Sequence, residues 1–213
     1  MNPYKFFENP WVYKFIQELF HSTVSLYADL AVSHVGAGSN DTILDIGSGL
    51  GTNRRLFPKA RYTGVDINPE YVAYANRMYG DGFRVMDAGR LDFPEASFDH
   101  AISIAVCHHL DDETLSAMVQ KALRIVKPTG ALHIIDPVLP ASRVAPLKQL
   151  IFKIDRGRHQ RTLQQMEMLL AKTGRIVGMD FCRGSLHDVC YFRLVRAPDG
   201  GHATSTLPQG TPA

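Results

Sequence analysis

Charge of one sign is what this 213-residue chain most plainly lacks: 23 Lys and Arg face 21 Asp and Glu, a net charge of +2. Composition therefore leaves no electrostatic footprint for a nucleic-acid partner. Cysteine is scarce as well. Cys107, Cys182 and Cys190 form no CxxC pair and no metal-ligand spacing, so no metal is expected and a reducing compartment suits them. Cys107 falls near the candidate site below, where apolar surroundings would raise its pKa and blunt it as a nucleophile. Long charge-free apolar runs are missing too. The stretch MNPYKFFENPWVYKFIQELF is aromatic-rich, but Lys5, Glu8, Lys14 and Glu18 interrupt it. Neither an export signal nor a membrane span is expected, and the cytoplasm is the expected location. No internal repeat is evident, and nothing in the sequence sets an oligomeric state.

What is present is ordinary for one globular domain: 45% apolar and 21% charged residues. Residues 9–35 carry apolar side chains at helical spacing and read as one or two helices ahead of a sheet, either packed on its flank or lying over a site as a lid. After the loop Gly36–Asp41, strand and helix signals alternate. Strands are expected at Thr42–Ile46, Tyr62–Val65, Phe83–Met86, Phe98–Ala105 and Ala131–Ile135. Helices are expected at Pro69–Tyr79 and Asp111–Val126, the latter stopped by Lys127-Pro128-Thr129-Gly130. Two more helices, Val144–Ile154 and Leu163–Lys172, and two closing strands, Ile176–Phe181 and Val189–Val195, complete the pattern. From Ala197 onward little can be buried, and a disordered tail is expected. Such alternation predicts an α/β fold with a mostly parallel, seven-stranded sheet and helices on both faces.

Ligands on such sheets bind beyond the carboxyl ends of the strands, and the unusual residues of this chain follow predicted strands. Asp45-Ile46-Gly47-Ser48-Gly49-Leu50-Gly51 could serve a dinucleotide, but the third glycine of that fingerprint would fall at residue 52, which is Thr52. Asp66 ends the second strand, where a carboxylate can accept both hydroxyls of a ribose, while Asn68 suits the cap of the helix opened by Pro69. Asp87 ends the third strand and can receive an adenine amino group. Cys107-His108-His109 follows the fourth strand and Asp136 the fifth.

A strand ending in Asp45 followed by Gly47-x-Gly49-x-Gly51 resembles the first motif of class I S-adenosylmethionine-dependent methyltransferases. Ser97-Phe98-Asp99-His100-Ala101-Ile102 and Leu123-Arg124-Ile125-Val126-Lys127-Pro128-Thr129-Gly130 resemble segments of the small-molecule branch known as methyltransferase type 11, with Thr129 where glycine is usual. The resemblance covers about residues 41–137. It implies a Rossmann-like, doubly wound fold, with a helical lid over residues 1–36, a methyltransferase domain over 37–196 and a tail over 197–213. It further implies S-adenosylmethionine as cofactor, held by Asp45, Gly47, Ser48, Gly49, Asp66, Ile67, Asp87, Ala88 and Ala105.

The acceptor side is less defined. His108 is the candidate base for an acceptor that must lose a proton. His109 is a candidate substrate contact. Asp136 either positions a substrate or anchors its turn, the anchor being preferred. Arg156, Arg158, His159 and Arg161 either bind an anionic acceptor or form a solvated basic loop. A small-molecule hydroxyl or amine is the expected acceptor, with a carbon nucleophile on a quinone or lipid precursor as the alternative. Rival functions are a nucleic-acid methyltransferase, disfavoured because Ala105–His109 lacks an Asn/Asp-Pro-Pro-aromatic motif, a nicotinamide dehydrogenase, and a catalytically silent methyltransferase-like binding protein.

Overall fold

Capping residues set where the helices of this chain begin. The computed structural model describes residues 21–140, 158–184 and 187–197. Helix α1 spans His21–Val35, and strand β1, Thr42–Ile46, follows. Strand β2, Arg61–Asp66, leads into α2, Pro69–Tyr79. There Asn68 accepts a hydrogen bond from the Glu70 amide at 2.9 Å, and Pro69 supplies a first-turn residue that needs no donor. Strand β3, Phe83–Val85, and β4, Phe98–Ile104, precede α3, Asp112–Ile125. Asp111 caps α3 by accepting from the Thr114 amide at 2.8 Å, with Asp112 and Glu113 at the positive end of the dipole. Strand β5, Val126–Val138, is followed by α4, Leu163–Ala171, whose first turn is closed by a reciprocal Thr162–Gln165 capping box. Strands β6, Arg175–Cys182, and β7, Asp188–Val195, end the described chain.

The seven strands lie in the order β3-β2-β1-β4-β5-β7-β6. The pairings from β3 through β5 are parallel, and β7 runs antiparallel to both β5 and β6. Helices cover both faces. On one, Leu115, Met118, Val119 and Ala122 of α3 and Met166 and Leu170 of α4 pack with Leu132, Ile134 and Phe192. On the other, Leu30, Ala31 and Val35 of α1 pack with Ile43, Ile102, Ile135 and Tyr191. The mostly parallel, seven-stranded sheet expected from the alternation is what forms. Because β1 is flanked by β2 and β4, the connections at their carboxyl ends diverge and leave a crevice there.

Differences from the sequence reading have local causes. The segment Lys127–Gly130 does not separate α3 from the fifth strand. β5 begins at Val126, and its register with β4 jumps from Phe98–Val126 to His100–Ala131, so these residues form a bulge. Pro128 tolerates a bulge because it has no amide to pair, and a side chain on Gly130 would collide with the Asp99 carbonyl oxygen. Ala105 lies past β4 with φ of 56°, a left-handed conformation that is costly for a residue with a Cβ. The expected helix at 144–154, Arg156 and residues 198–213 of the expected tail lie outside the described residues, as do residues 1–20 of the expected lid.

Candidate active site

A cleft of about 570 Å³ opens at the carboxyl ends of β1 to β4. Its first wall is the loop after β1. Val65 of β2 pins that loop, accepting from the Gly47 and Ser48 amides at 2.8 and 2.9 Å. Gly47 has φ of 74°, and a Cβ there would stand 2.5 Å from Val106, so the loop can approach the segment after β4 only as glycine.

Asp66 lies beside this loop. One carboxylate oxygen accepts from the Gly49 amide and the other from the Asn68 amide, each at 2.8 Å. Burial pushes its pKa up despite these bonds. Ile67 is an apolar side chain that lines the cleft and is 69% exposed. Asp87 caps the short turn Ala88–Arg90 by accepting from the Gly89 amide at 2.8 Å, and it lines the cleft together with Ala88. The sequence-predicted residues Gly47, Ser48, Gly49, Asp66, Ile67, Asp87, Ala88 and Ala105 therefore share one cavity.

Asp45 is the exception on this wall. It is fully buried and lies beneath the loop rather than among the cleft-lining residues. One of its oxygens accepts from the Tyr62 hydroxyl and, at 3.2 Å, from Asn53; the other has no hydrogen-bond partner. Burial raises its pKa to about 6. Asn53 itself lines the cleft. The Ser48 hydroxyl is a second buried polar group without a partner on this wall.

Across the cleft lies the turn Cys107–His109. Asp136 holds it: one carboxylate oxygen accepts from the Val106 and Cys107 amides at 2.9 and 2.8 Å, the other from the His108 amide at 3.1 Å. The His108 Nδ1 is 2.9 Å from that second oxygen. Fully buried, with four donors and no place in the cleft lining, Asp136 anchors this turn. Arg161 is also buried. It donates to the Cys107 and Leu110 carbonyls at 2.9 and 2.8 Å and pairs with Asp112 at 2.6 Å, so it clamps the turn. Arg158 and His159 do not line the cleft either, although the His159 amide donates to the His108 carbonyl at 3.0 Å. His108 and His109 do line it, with ring centroids 4.0 Å apart. Burial pushes the Cys107 thiol far above its usual range, which removes it as a nucleophile.

Several lining residues carry no sequence signal. Thr23, Val24, Tyr27 and Ala28 come from α1, and His187 from the turn before β7. Helical periodicity marks α1 as amphipathic but does not say which of its residues reach a cleft. Tyr62 is the second residue of β2, and Asn53 follows the glycine motif by two residues, outside its pattern. Among the described residues no cluster of His, Cys, Asp and Glu is placed to hold a metal ion, and no helix is long and apolar enough to cross a membrane.

Residues 44–134 match the protein family described as methyltransferase domain. The chain is 34% identical over 113 residues to the 2-methyl-6-phytyl-1,4-hydroquinone methyltransferase of Synechocystis, an alignment spanning 50% of this chain and 35% of that enzyme. It is 34% identical over 134 residues to the phosphoethanolamine N-methyltransferase of Plasmodium falciparum, spanning 59% of this chain and 50% of that enzyme. The chain thus spans half or less of these relatives' own length. In structure it resembles an S-adenosylmethionine-dependent methyltransferase of Methanosarcina mazei, with a TM-score of 0.64, 20% identity and coverage of 78% and 98% of the two chains. Over residues 44–134 the chain is thus similar to the methyltransferase domain family, and it shares the fold of the Methanosarcina mazei protein.

Proposed function

We propose that this protein transfers a methyl group from S-adenosylmethionine to a hydroxyl or amine of a small-molecule metabolite, in the cytoplasm. The observation that carries the reading is the single cleft in which the glycine loop, Asp66 and Asp87 line one side and His108 and His109 the other. The residues present fit such a donor. Gly47 and Gly49 let backbone approach its amino-acid portion, and the buried, unpartnered oxygen of Asp45 sits beneath that loop. Asp66 retains lone pairs for a diol, exposed Ile67 offers an apolar face for a flat ring, and Asp87 and Ala88 suit the far end of that ring. When bound, the donor supplies an electrophilic methyl group on a sulfonium.

Alignment of the acceptor against that methyl supplies much of the rate. With the donor held by the glycine loop, Asp66 and Asp87, its methyl group would pass to the acceptor atom, and His108 would take the acceptor's proton. Asp136, through Nδ1 of the imidazole, orients that base. His109 contacts the acceptor. Helix α1 serves as a lid, a reading supported by the four α1 residues that line the cleft. Arg156 and Arg158 remain candidates for an acceptor's anionic group.

A second acceptor class, the carbon of a quinone or lipid precursor, is favoured by a specific pair of observations. The relative from Synechocystis is named for a hydroquinone, and Val24, Leu56, Ile104 and Leu110 give the cleft an apolar lining. Transfer from methyl-labelled S-adenosylmethionine to phenol, amine and hydroquinone panels distinguishes the two. His108→Gln should lower kcat on a hydroxyl acceptor by roughly 10²–10⁴-fold. An undiminished kcat would remove His108 as the base.

A further inference from the structure

A guanidinium presents its N–H donors in one fixed plane, and Arg161 engages each of its three nitrogens. Nη1 donates to the Cys107 and His159 carbonyls, each at 2.9 Å. Nη2 donates to the Leu110 carbonyl at 2.8 Å and to an Asp112 carboxylate oxygen at 2.6 Å, and Nε reaches that same oxygen at 2.9 Å. The Arg161 side chain is buried, whereas that of Asp112 is largely exposed. The backbone is pinned as well. The Arg161 carbonyl accepts from the Leu139 amide at 2.9 Å, just beyond β5, and the next residue, Thr162, caps α4. Strand β5 therefore reaches the Cys107–His109 turn twice, directly through Asp136 and again through Leu139 and Arg161. The carbonyls of Cys107 and Leu110 flank His108 and His109, and between them the His108 carbonyl accepts from the His159 amide at 3.0 Å. His108 is thus held on both sides of its own residue, with its ring against Asp136 at 2.9 Å.

We propose that Arg161 is a positioning residue for methyl transfer: by holding the flanks of the turn, it sets the His108 ring against Asp136 and toward the acceptor. This rests on the reading of His108 as the base. Arg161 does not line the cleft, so its positive charge is not offered to a ligand there. What the site uses is its shape. Three carbonyls and a carboxylate are met at once by a planar fork, which the single nitrogen of an ammonium cannot span. The titratable groups around the turn come from several elements. They are Asp136 of β5, His109 beside His108, Asp111 and Asp112 at the start of α3, His159 and Arg161 before α4, and His187, which lines the same cleft. Arg161→Lys keeps every one of these charges and removes only the fork, so a change at His108 in that variant reports geometry. A looser turn weakens the contact between Nδ1 and Asp136. That contact favours the imidazolium, so the ring then titrates at lower pH.

Nitrogen-15 NMR of the histidine rings in the full, ligand-free chain reads this directly, the His108 signal being identified by its loss in His108→Gln. In Arg161→Lys the His108 midpoint should move to lower pH by about 0.5–1. Affinity for S-adenosylhomocysteine, held by the opposite wall, should stay within about twofold of the wild type by calorimetry. On whichever phenol, amine or hydroquinone probe the wild type methylates, kcat should fall about 10–100-fold with KM for the donor unchanged. Asp112→Ala frees two of the guanidinium's bonds on the exposed side and should move the midpoint the same way by less. Asp112→Asn, which keeps an acceptor oxygen, should restore most of that loss. Should Arg161→Lys fail to fold, the Asp112 pair carries the same comparison. A purely structural arginine predicts otherwise: lower stability, with the His108 midpoint and kcat of the folded variants unmoved. That result would overturn the proposal, as would donor affinity falling in step with kcat. Failure of His108→Gln to lower kcat, with the midpoint shift present, would instead contradict the reading of His108 as the base.

Discussion

On the β1–β2–β3 side of the cleft, each polar group is held from nearby in the chain. Asp66 takes its donors from 17 and 2 residues away, Asp87 from 2, and Asp45 from 8 and 17. On the opposite side, the Cys107–His109 turn hangs on Asp136, 28 to 30 residues on, and on Arg161, 54 residues from Cys107. The sides differ in satisfaction as well. Asp136 accepts four hydrogen bonds, whereas Asp45 leaves an oxygen unpaired and Ser48 a hydroxyl. The near side thus retains polar capacity for a ligand, and the far side expends its own on fixing a turn.

Breaking the anchor tests this contrast most forcefully. Asp136→Ala leaves two buried amides, the half-buried Val106 amide and the His108 ring without their acceptor, and should destabilise the protein by roughly 3–5 kcal/mol. The same truncation at half-buried Asp87, which accepts from the Gly89 amide, should cost far less. Urea denaturation of the two variants compares them, and equal losses would erase the distinction. A smaller effect is expected where the walls meet. Gly47→Ala forces a Cβ toward Val106 and places alanine at φ of 74°, so affinity for S-adenosylhomocysteine should fall about 10–100-fold, with stability lowered by roughly 1–2 kcal/mol. Unchanged affinity would mean that the loop's approach to Val106 is irrelevant to binding.

The smallest expected change has an unusual sign. Asp45 is raised from 3.8 to about 6 in the folded protein. Its contribution to stability is fully present below the lower value and lost as pH rises through the upper one. Asp45→Asn, neutral throughout, should therefore be more stable than the wild type at pH 7.5, by about 1–2 kcal/mol, and gain nothing at pH 4. Unfolding midpoints against pH check this.

The same contrast explains which features could be read without a structure. Strand ends followed by Gly47–Gly51, Asp66 and Asp87 are local patterns, and a doubly wound sheet brings successive strand ends to one place whatever the details of packing. The cap at Asn68 was legible for the same reason. Arg161 was not, because nothing within a few residues distinguishes a cation that clamps carbonyls from one that binds an anion. Lys127–Gly130 reads as a turn from its Pro and Gly, yet strand pairing across Phe98–His100 absorbs it as a bulge. Helix α1 and His187 reach the cleft through tertiary packing, which leaves no imprint on spacing.

Calorimetric titration of the wild type with S-adenosylhomocysteine and, separately, with NAD measures the central claim most directly. One saturable site for S-adenosylhomocysteine, with no heat of binding for NAD, is the predicted result. Saturable NAD binding without S-adenosylhomocysteine binding would contradict it, and would return the glycine loop to the dinucleotide reading that Thr52 argues against.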